Sequence, residues 1–334
     1  LKTRAIERLP FVPEGAGAEE RKELILSLQS HALARRLRHV GAKCAVIGVS
    51  GGLDSSLALL VAARAADICG MPRSAIEAVS MPGFGTSGKT FDNSLALSKS
   101  VGASVRTIPV NALVSQHFKD ISHDPAVKNV TYENAQARAR TYILMNLANE
   151  LGGIVVGTGD LSELAPGWCT YNGDHMSMYG VNSGVPKTLV KHLAKYEAER
   201  LGGDAQKAIE SVLATEISPE LLPPDEKGNI AQKTEDIVGP YELHDFFLYH
   251  ALRRGDSPKN TFYLAQYAFG RKYDKKTLKK WLKNFYKRFF AQQFKRSCMP
   301  DGVKIGSVTL SPRADFRMPS DACASLWLEE AEEI

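Results

Sequence analysis

Two spacings of apolar residues alternate along the first half of this 334-residue chain. Short apolar runs at Cys44–Val49, Ala75–Met81, Ser104–Val110 and Gly153–Thr158 have the length of strands buried on both faces. Longer stretches between them carry helical spacing: Ala18–Val40 (Leu24, Leu28, Ala32 and Arg35, with Leu33 and Leu37 close by), Leu57–Ala66, Phe91–Val101, Asn111–Lys119 and Thr131–Leu151. Asp92, Asn93 and Ser94 open the third of these, as helix starts favour. Strand and helix in turn predict an α/β fold with a doubly wound parallel sheet. Ligands of such sheets sit at the C-terminal ends of the strands.

Past Pro166 the pattern changes. Gly167–Lys187 is rich in Gly, Asn, Met and Tyr without a clear period, and reads as a functional loop. Thr188–Arg200, Thr234–Arg254 and Thr261–Phe269 look helical. The Pro- and charge-rich stretch from Pro219 to Thr234 is a candidate lid. Lys275–Arg296 is predicted as one helix with Leu278, Trp281, Leu282, Phe285, Phe289 and Phe290 inward and a solvated basic face outward. Glu329–Glu333 is expected to be a frayed acidic tail. Residues 1–17, with Pro10, Pro13, Gly15 and Gly17, read as a linker, leaving 18–334 as one domain with added C-terminal helices.

Composition narrows the class. Hydrophobic residues at 44% and charged residues at 24% are ordinary for a globular protein. No apolar run spans a bilayer, and the first residues lack an apolar signal core, so no membrane contact is expected. The five cysteines, Cys44, Cys69, Cys169, Cys298 and Cys323, form no C-x-x-C pair. That argues against a disulfide framework or structural zinc and fits a reducing cytoplasm. A formal charge of +5 suits anionic substrates but does not by itself call for nucleic acid.

The first chemical cluster follows the first strand. Gly48-Val49-Ser50-Gly51-Gly52-Leu53-Asp54-Ser55 predicts a tight turn into a helix, where exposed N–H groups and hydroxyls of Ser50, Ser55 and Ser56 favour an anion. The turn lacks the Gly-Lys-Ser/Thr of a Walker A loop. An acid beside a phosphate cradle calls for an intervening cation, which makes Asp54 a candidate Mg²⁺ ligand. Thr158-Gly159-Asp160-Leu161-Ser162-Glu163 is the second cluster. Thr158 suits a base or phosphate, and Glu163 a second Mg²⁺ ligand. Alone, the same D-x-x-E reads more readily as a helix start whose acids cap N–H groups.

Ser-Gly-Gly-Leu-Asp-Ser after a strand resembles the pyrophosphate loop of the N-type ATP pyrophosphatases. Several longer motifs, in order from Phe11 to Trp327, resemble the NAD⁺ synthetases, specifically the synthetase part of the glutamine-dependent enzymes. They are Gly157–Tyr171 (GTGDLSELAPGWCTY), Asn182–Thr188 (NSGVPKT), Gly239–Phe247 (GPYELHDFF), Phe294–Ser297, Ser311–Arg313 and Pro319–Asp321. The resemblance implies adenylation of the nicotinate carboxylate of deamido-NAD⁺ by Mg-ATP, then attack by ammonia to give NAD⁺, AMP and pyrophosphate. It implies that Gly48–Ser55, Thr158, Lys187 and Ser218 meet ATP, with Lys187 on the phosphates, and that Asp54 and Glu163 hold Mg²⁺. It assigns Asn134, Arg138, Glu163, Trp168, Cys169, Thr170, Tyr171 and Lys295 to deamido-NAD⁺.

The chain departs from the family in two ways. Tyr171 stands where the short ammonia-dependent enzymes carry a Lys. No upstream nitrilase-like amidase domain is present in the sequence, so residues 1–17 are expected to be the linker after such a domain, and ammonia is either free or supplied by it. A homo-oligomer is expected. Another ATP pyrophosphatase, and an RNA-binding protein using the basic Lys275–Arg296 helix, are the competing readings. Neither accounts for both acidic clusters and the Trp168–Tyr171 segment together.

Overall fold

The computed structural model describes residues 5–215, 221–222 and 234–334. Five parallel strands form its sheet, in the order β3-β2-β1-β4-β5. They are β1 (Ala45–Gly48), β2 (Ile76–Ser80), β3 (Ser104–Thr107), β4 (Ile154–Gly157) and β5 (Tyr179–Gly180). The helices of this half are α1 (Ala18–Val40), α2 (Leu53–Cys69), α3 (Gly88–Ser100), α4 (Asn111–Asp120), α5 (Val130–Leu151), α6 (Leu161–Leu164), α7 (Lys187–Leu201) and α8 (Gly203–Leu213).

Strand pleating divides the core in two. Ala45, Ile47, Ile76, Ala78, Ile154 and Val156 face one side and pack with α1, α2, α7 and α8. Val46, Val79 and Val155 alternate with them and face Val114, Phe118, Tyr132 and Ala139 of α4 and α5. Arg64 of α2, paired with Glu23 of α1 at 2.7 Å and with the buried Glu197 of α7, ties three helices on the first side. The doubly wound expectation thus holds, and α1 has the predicted bounds.

The C-terminal part packs a third cluster from α9 (Thr234–Val238), α10 (Tyr241–Leu248), a π-helical turn at Tyr249–Arg254, α11 (Pro258–Phe269), α12 (Lys275–Ala291), α13 (Gln293–Ser297) and α14 (Ser325–Glu332). All six residues predicted to face inward on α12 are buried. Other expectations are corrected. The Gly167–Lys187 loop holds the fifth strand, too short to leave a periodic trace, and α8 was not anticipated. Helix 234–254 is broken at Gly239-Pro240, because Gly239 has φ +97° and Pro240 offers no N–H. Helix 275–296 is broken at Gln292. The acidic tail lies largely within α14, where Glu330 accepts from Ser257 Oγ at 2.5 Å and from Lys259 N at 3.1 Å. Phe11, in the expected linker, meets Tyr249 edge-on at 5.4 Å, and Val12 is buried.

Candidate active site

The strand order reverses between β1 and β4, so the chain leaves their C-terminal ends in opposite directions and opens a crevice there. Both chemical clusters lie at this point. After β1, Gly51 turns the chain with φ +84°, and a Cβ there would stand 1.9 Å from the main-chain oxygen of Thr90. Only glycine fits. Gly52 then opens α2 with no capping side chain. Ser50 Oγ accepts from Gly52 N at 3.2 Å. The hydroxyls of Ser55 and Ser56, expected to face the anion, instead donate back to Gly52 O at 3.0 and 2.8 Å and are buried. Asn182, fully buried, joins the two clusters: its Nδ2 donates to Asp54 O at 2.9 Å and to Thr158 O at 3.1 Å.

Lys187, the first residue of α7, sends its side chain into the crevice between the two strand ends. Only 3% exposed, its Nζ pairs with Asp54, with Asp160 Oδ2 at 2.7 Å and with Glu163 Oε1 at 2.9 Å. The Tyr241 ring lies 5.2 Å away on a further side. Burial alone would pull the lysine's pKa down, but the three carboxylates more than reverse this and hold it charged. Burial pushes Glu163 up to about 7 against the pull of Lys187. Asp160 was not singled out as a site residue. It is the N-cap of α6, accepting from Glu163 N at 2.9 Å, so capping and a place in the charge cluster belong to one D-x-x-E segment.

The Gly239–Phe247 segment acts behind this cluster. Gly239 leaves no room for a Cβ against the Trp281 ring, 2.7 Å away. Tyr241 covers Lys187. Asp245, fully buried, accepts from Ser162 Oγ and from Thr188 N and Oγ1 at 3.0 and 2.5 Å, while Ser162 Oγ accepts from Lys187 N at 2.8 Å. One carboxylate thereby fixes the first turns of α6 and α7, which carry Glu163 and Lys187. The signal that could have found it is a polar residue amid the apolar run Leu243–Leu248.

The residues assigned to the second substrate also converge. Asn134 Oδ1 of α5 accepts from Thr170 Oγ1 at 2.8 Å, and Arg138 Nε donates to Tyr171 O at 3.1 Å. Lys295 Nζ donates to Gly167 O at 2.8 Å and Cys169 O at 2.6 Å. Arg296, fully buried, donates to Ala165 O at 2.5 Å. Trp168 lies under the Arg288 guanidinium, at 5.4 Å. Tyr171 is exposed and its ring stacks on His175 at 5.3 Å. Burial pushes the Cys169 thiol well up, so it is not a ready nucleophile. A cavity runs beside Glu163, lined by Asp174, His175, Ser177, Gly180, Met299 and Pro300 among others. Ser218 and most of the 219–234 segment lie outside the described residues. Leu221 O, within that segment, accepts from Gln136 Nε2 at 2.8 Å.

One carboxylate oxygen from each of Asp54, Asp160 and Glu163 lies within 4.8 Å of the others, and Asp54 Oδ1 is buried without a hydrogen-bond partner. This all-oxygen, acidic set suits a hard divalent cation. Among the described residues no helix is long and apolar enough to cross a membrane.

A family model described as NAD synthase matches residues 25–291. The glutamine-dependent NAD(+) synthetase of Mycobacterium leprae is 42% identical over 355 aligned positions, covering 98% of this chain and 52% of that protein. The crystal structure of a glutamine-dependent NAD(+) synthetase from Cytophaga hutchinsonii shares the fold with a TM-score of 0.75 at 18% identity, over 94% of this chain and 56% of that one. A glutamine-dependent NAD+ synthetase from Acinetobacter baumannii, in complex with ADP, does so with a TM-score of 0.53 at 24% identity, over 87% and 48%. The chain spans about half the length of the curated relatives it matches. A family match over most of the sequence, joined to this level of identity along nearly all of it, shows that the chain belongs to the NAD synthase family.

Proposed function

We propose that this crevice carries out the ATP-dependent amidation of deamido-NAD⁺ to NAD⁺, through an adenylated intermediate and with release of AMP and pyrophosphate. The observation that carries the reading is the Lys187 ammonium set among Asp54, Asp160 and Glu163, with Asp54 placed by the helix start that follows the Gly51 turn. Ammonia is the nitrogen donor. It is either free or supplied by an upstream glutaminase domain, the second source being favoured by relatives named glutamine-dependent and about twice as long.

A carboxylate resists attack because its charge repels nucleophiles and oxide is a poor leaving group. Transfer of AMP to it removes the charge and supplies a phosphate leaving group. Catalysis then rests on placement and charge stabilisation. The Ser50–Gly52 turn and the uncapped start of α2 hold phosphate oxygens through main-chain N–H groups. Thr158 and Ser218 complete the ATP contacts. Lys187 supplies positive charge to the phosphates. Asp54 and Glu163 would hold Mg²⁺, which when bound offsets the charge of the phosphate oxygens. Asn134, Arg138, Trp168–Tyr171 and Lys295 form the wall for deamido-NAD⁺. In this wall Arg138 and Lys295 grip main-chain oxygens, so they shape the loop as well as add charge. The cavity lined by Asp174 and Ser177 offers ammonia room beside Glu163.

Mixing the protein with ATP, Mg²⁺, ammonium and deamido-NAD⁺ tests this. Stoichiometric pyrophosphate and NAD⁺ are expected. Pyrophosphate without NAD⁺, or neither product, would refute the assignment. The basic face of α12 offers little for an RNA-binding reading, since its aromatic residues are buried and Lys279 and Lys283 pair with Glu332.

A further inference from the structure

Asp160 does more than start a helix. Its Oδ1 caps α6 by accepting from Glu163 N. A cap needs only a short side-chain oxygen, and Asn or Ser serves there as well as Asp. The cap therefore does not account for a charged side chain with no exposed surface, which is unfavourable unless a partner meets it. The partner is Lys187 Nζ, 2.7 Å from Oδ2.

The other two carboxylates around Lys187 differ from Asp160. The side chains of Asp54 and Glu163 are 20% and 22% exposed, whereas that of Asp160 has no exposed surface. Three carboxylates against one ammonium leave two formal negative charges, the complement of one divalent cation. A cation on the oxygens of Asp54 and Glu163 repels the ammonium and draws those oxygens from it. Asp160, on the inner side, is then the remaining carboxylate at Lys187.

We propose that Asp160 is a positioning residue, the buried counter-ion that keeps Lys187 in place while a divalent cation occupies the oxygens of Asp54 and Glu163. This rests on the reading of Asp54 and Glu163 as cation ligands. Without the Asp160 charge, lysine and cation compete for the same two carboxylates. With it, both are held side by side, the lysine toward the interior and the cation toward the crevice.

The test is a titration with Mn²⁺ in the absence of nucleotide, followed by the electron paramagnetic resonance signal of the free ion. Wild type, Asp160→Asn, Lys187→Met and the double variant are compared, with melting temperature as the control for folding. Asp160→Asn keeps the capping oxygen and is expected to weaken Mn²⁺ binding about tenfold, as one nearby charge would. Lys187→Met is expected to tighten it. The double variant is expected to recover most of the affinity lost in Asp160→Asn, because the competing lysine is gone. If Asp160→Asn does not fold, Asp160→Ser makes the same comparison. Unchanged Mn²⁺ affinity in the single Asp160 variant would overturn the proposal and leave Asp160 a cap. A double variant as weak as Asp160→Asn would also overturn it, since Asp160 would then act on the cation directly. No Mn²⁺ binding by the wild type would remove the cation site itself, and the proposal with it.

Discussion

Asn182 Nδ2 lies 2.9 Å from the main-chain oxygen of Asp54, a residue 128 positions earlier in the chain. It gives its second hydrogen to Thr158 O, while Asn182 Oδ1 accepts from Gln29 Nε2 at 3.1 Å. Each polar atom of this buried amide is thus used, and together they hold the two turns of the candidate site at a fixed separation. Asn182→Ala would strand these partners in the interior. A loss of about 2–3 kcal/mol in urea unfolding is expected, with a fall in kcat exceeding any change in KM. Wild-type stability and turnover in the variant would show that the turns are held by other means.

Removing either outer acid should separate chemistry from folding. In Glu163→Gln the cap of α6 survives, because it is the side chain of Asp160 that meets the residue-163 N–H. The far-ultraviolet circular dichroism melt should stay close to wild type while pyrophosphate release falls by about a hundredfold or more, as for loss of a group acting on developing charge. Asp54→Asn should behave alike. A collapsed melt in Glu163→Gln would mean that its carboxylate is structural.

Gly51→Ala places a methyl group 1.9 Å from Thr90 O in a backbone region that disfavours side chains. The turn must move, and α3, which carries Thr90, must move with it. Isothermal titration should show nucleotide binding reduced below detection, with a lower melting temperature. Normal binding would show that the turn takes no part in holding the nucleotide.

His244 makes stability depend on pH. It is 2% exposed, hydrogen-bonded to Val238 O, and burial lowers its pKa to about 4, against about 6.5 when unfolded. Above pH 6.5 the ring is neutral in both states and costs nothing. Between 6.5 and 4 the unfolded chain takes up a proton that the folded one refuses, so stability falls as pH falls. By pH 5 the loss from this group should reach about 2 kcal/mol. Urea midpoints from pH 7.5 to 5 should show it, and His244→Gln should flatten the slope. An equal slope in the variant would assign the effect to other groups.

The parallel sheet was legible because strands buried on both faces leave unbroken apolar runs, as at Ala45–Gly48 and Ile154–Gly157. The outer turns were legible because Gly51 and Asp54 are unusual company for each other. Asp160 and Asp245 were not, since an acid at a helix start and one polar residue in an apolar segment each have an ordinary explanation. Their importance comes from partners that only folding brings near: Lys187 for one, Ser162 and Thr188 for the other. β5 escaped notice because two residues have no periodicity, and its pairing rests on β4 and on Asp301 O, 2.7 Å from Gly180 N.

The position of β1 between β2 and β4 has a consequence for biogenesis. The three acids around Lys187 cannot meet until β4 has docked on β1, a strand made long before it. Such distant pairings close slowly. On the proposed function, nucleotide capture marks the completion of the sheet during folding, and ATP protects molecules that have finished over those that have not.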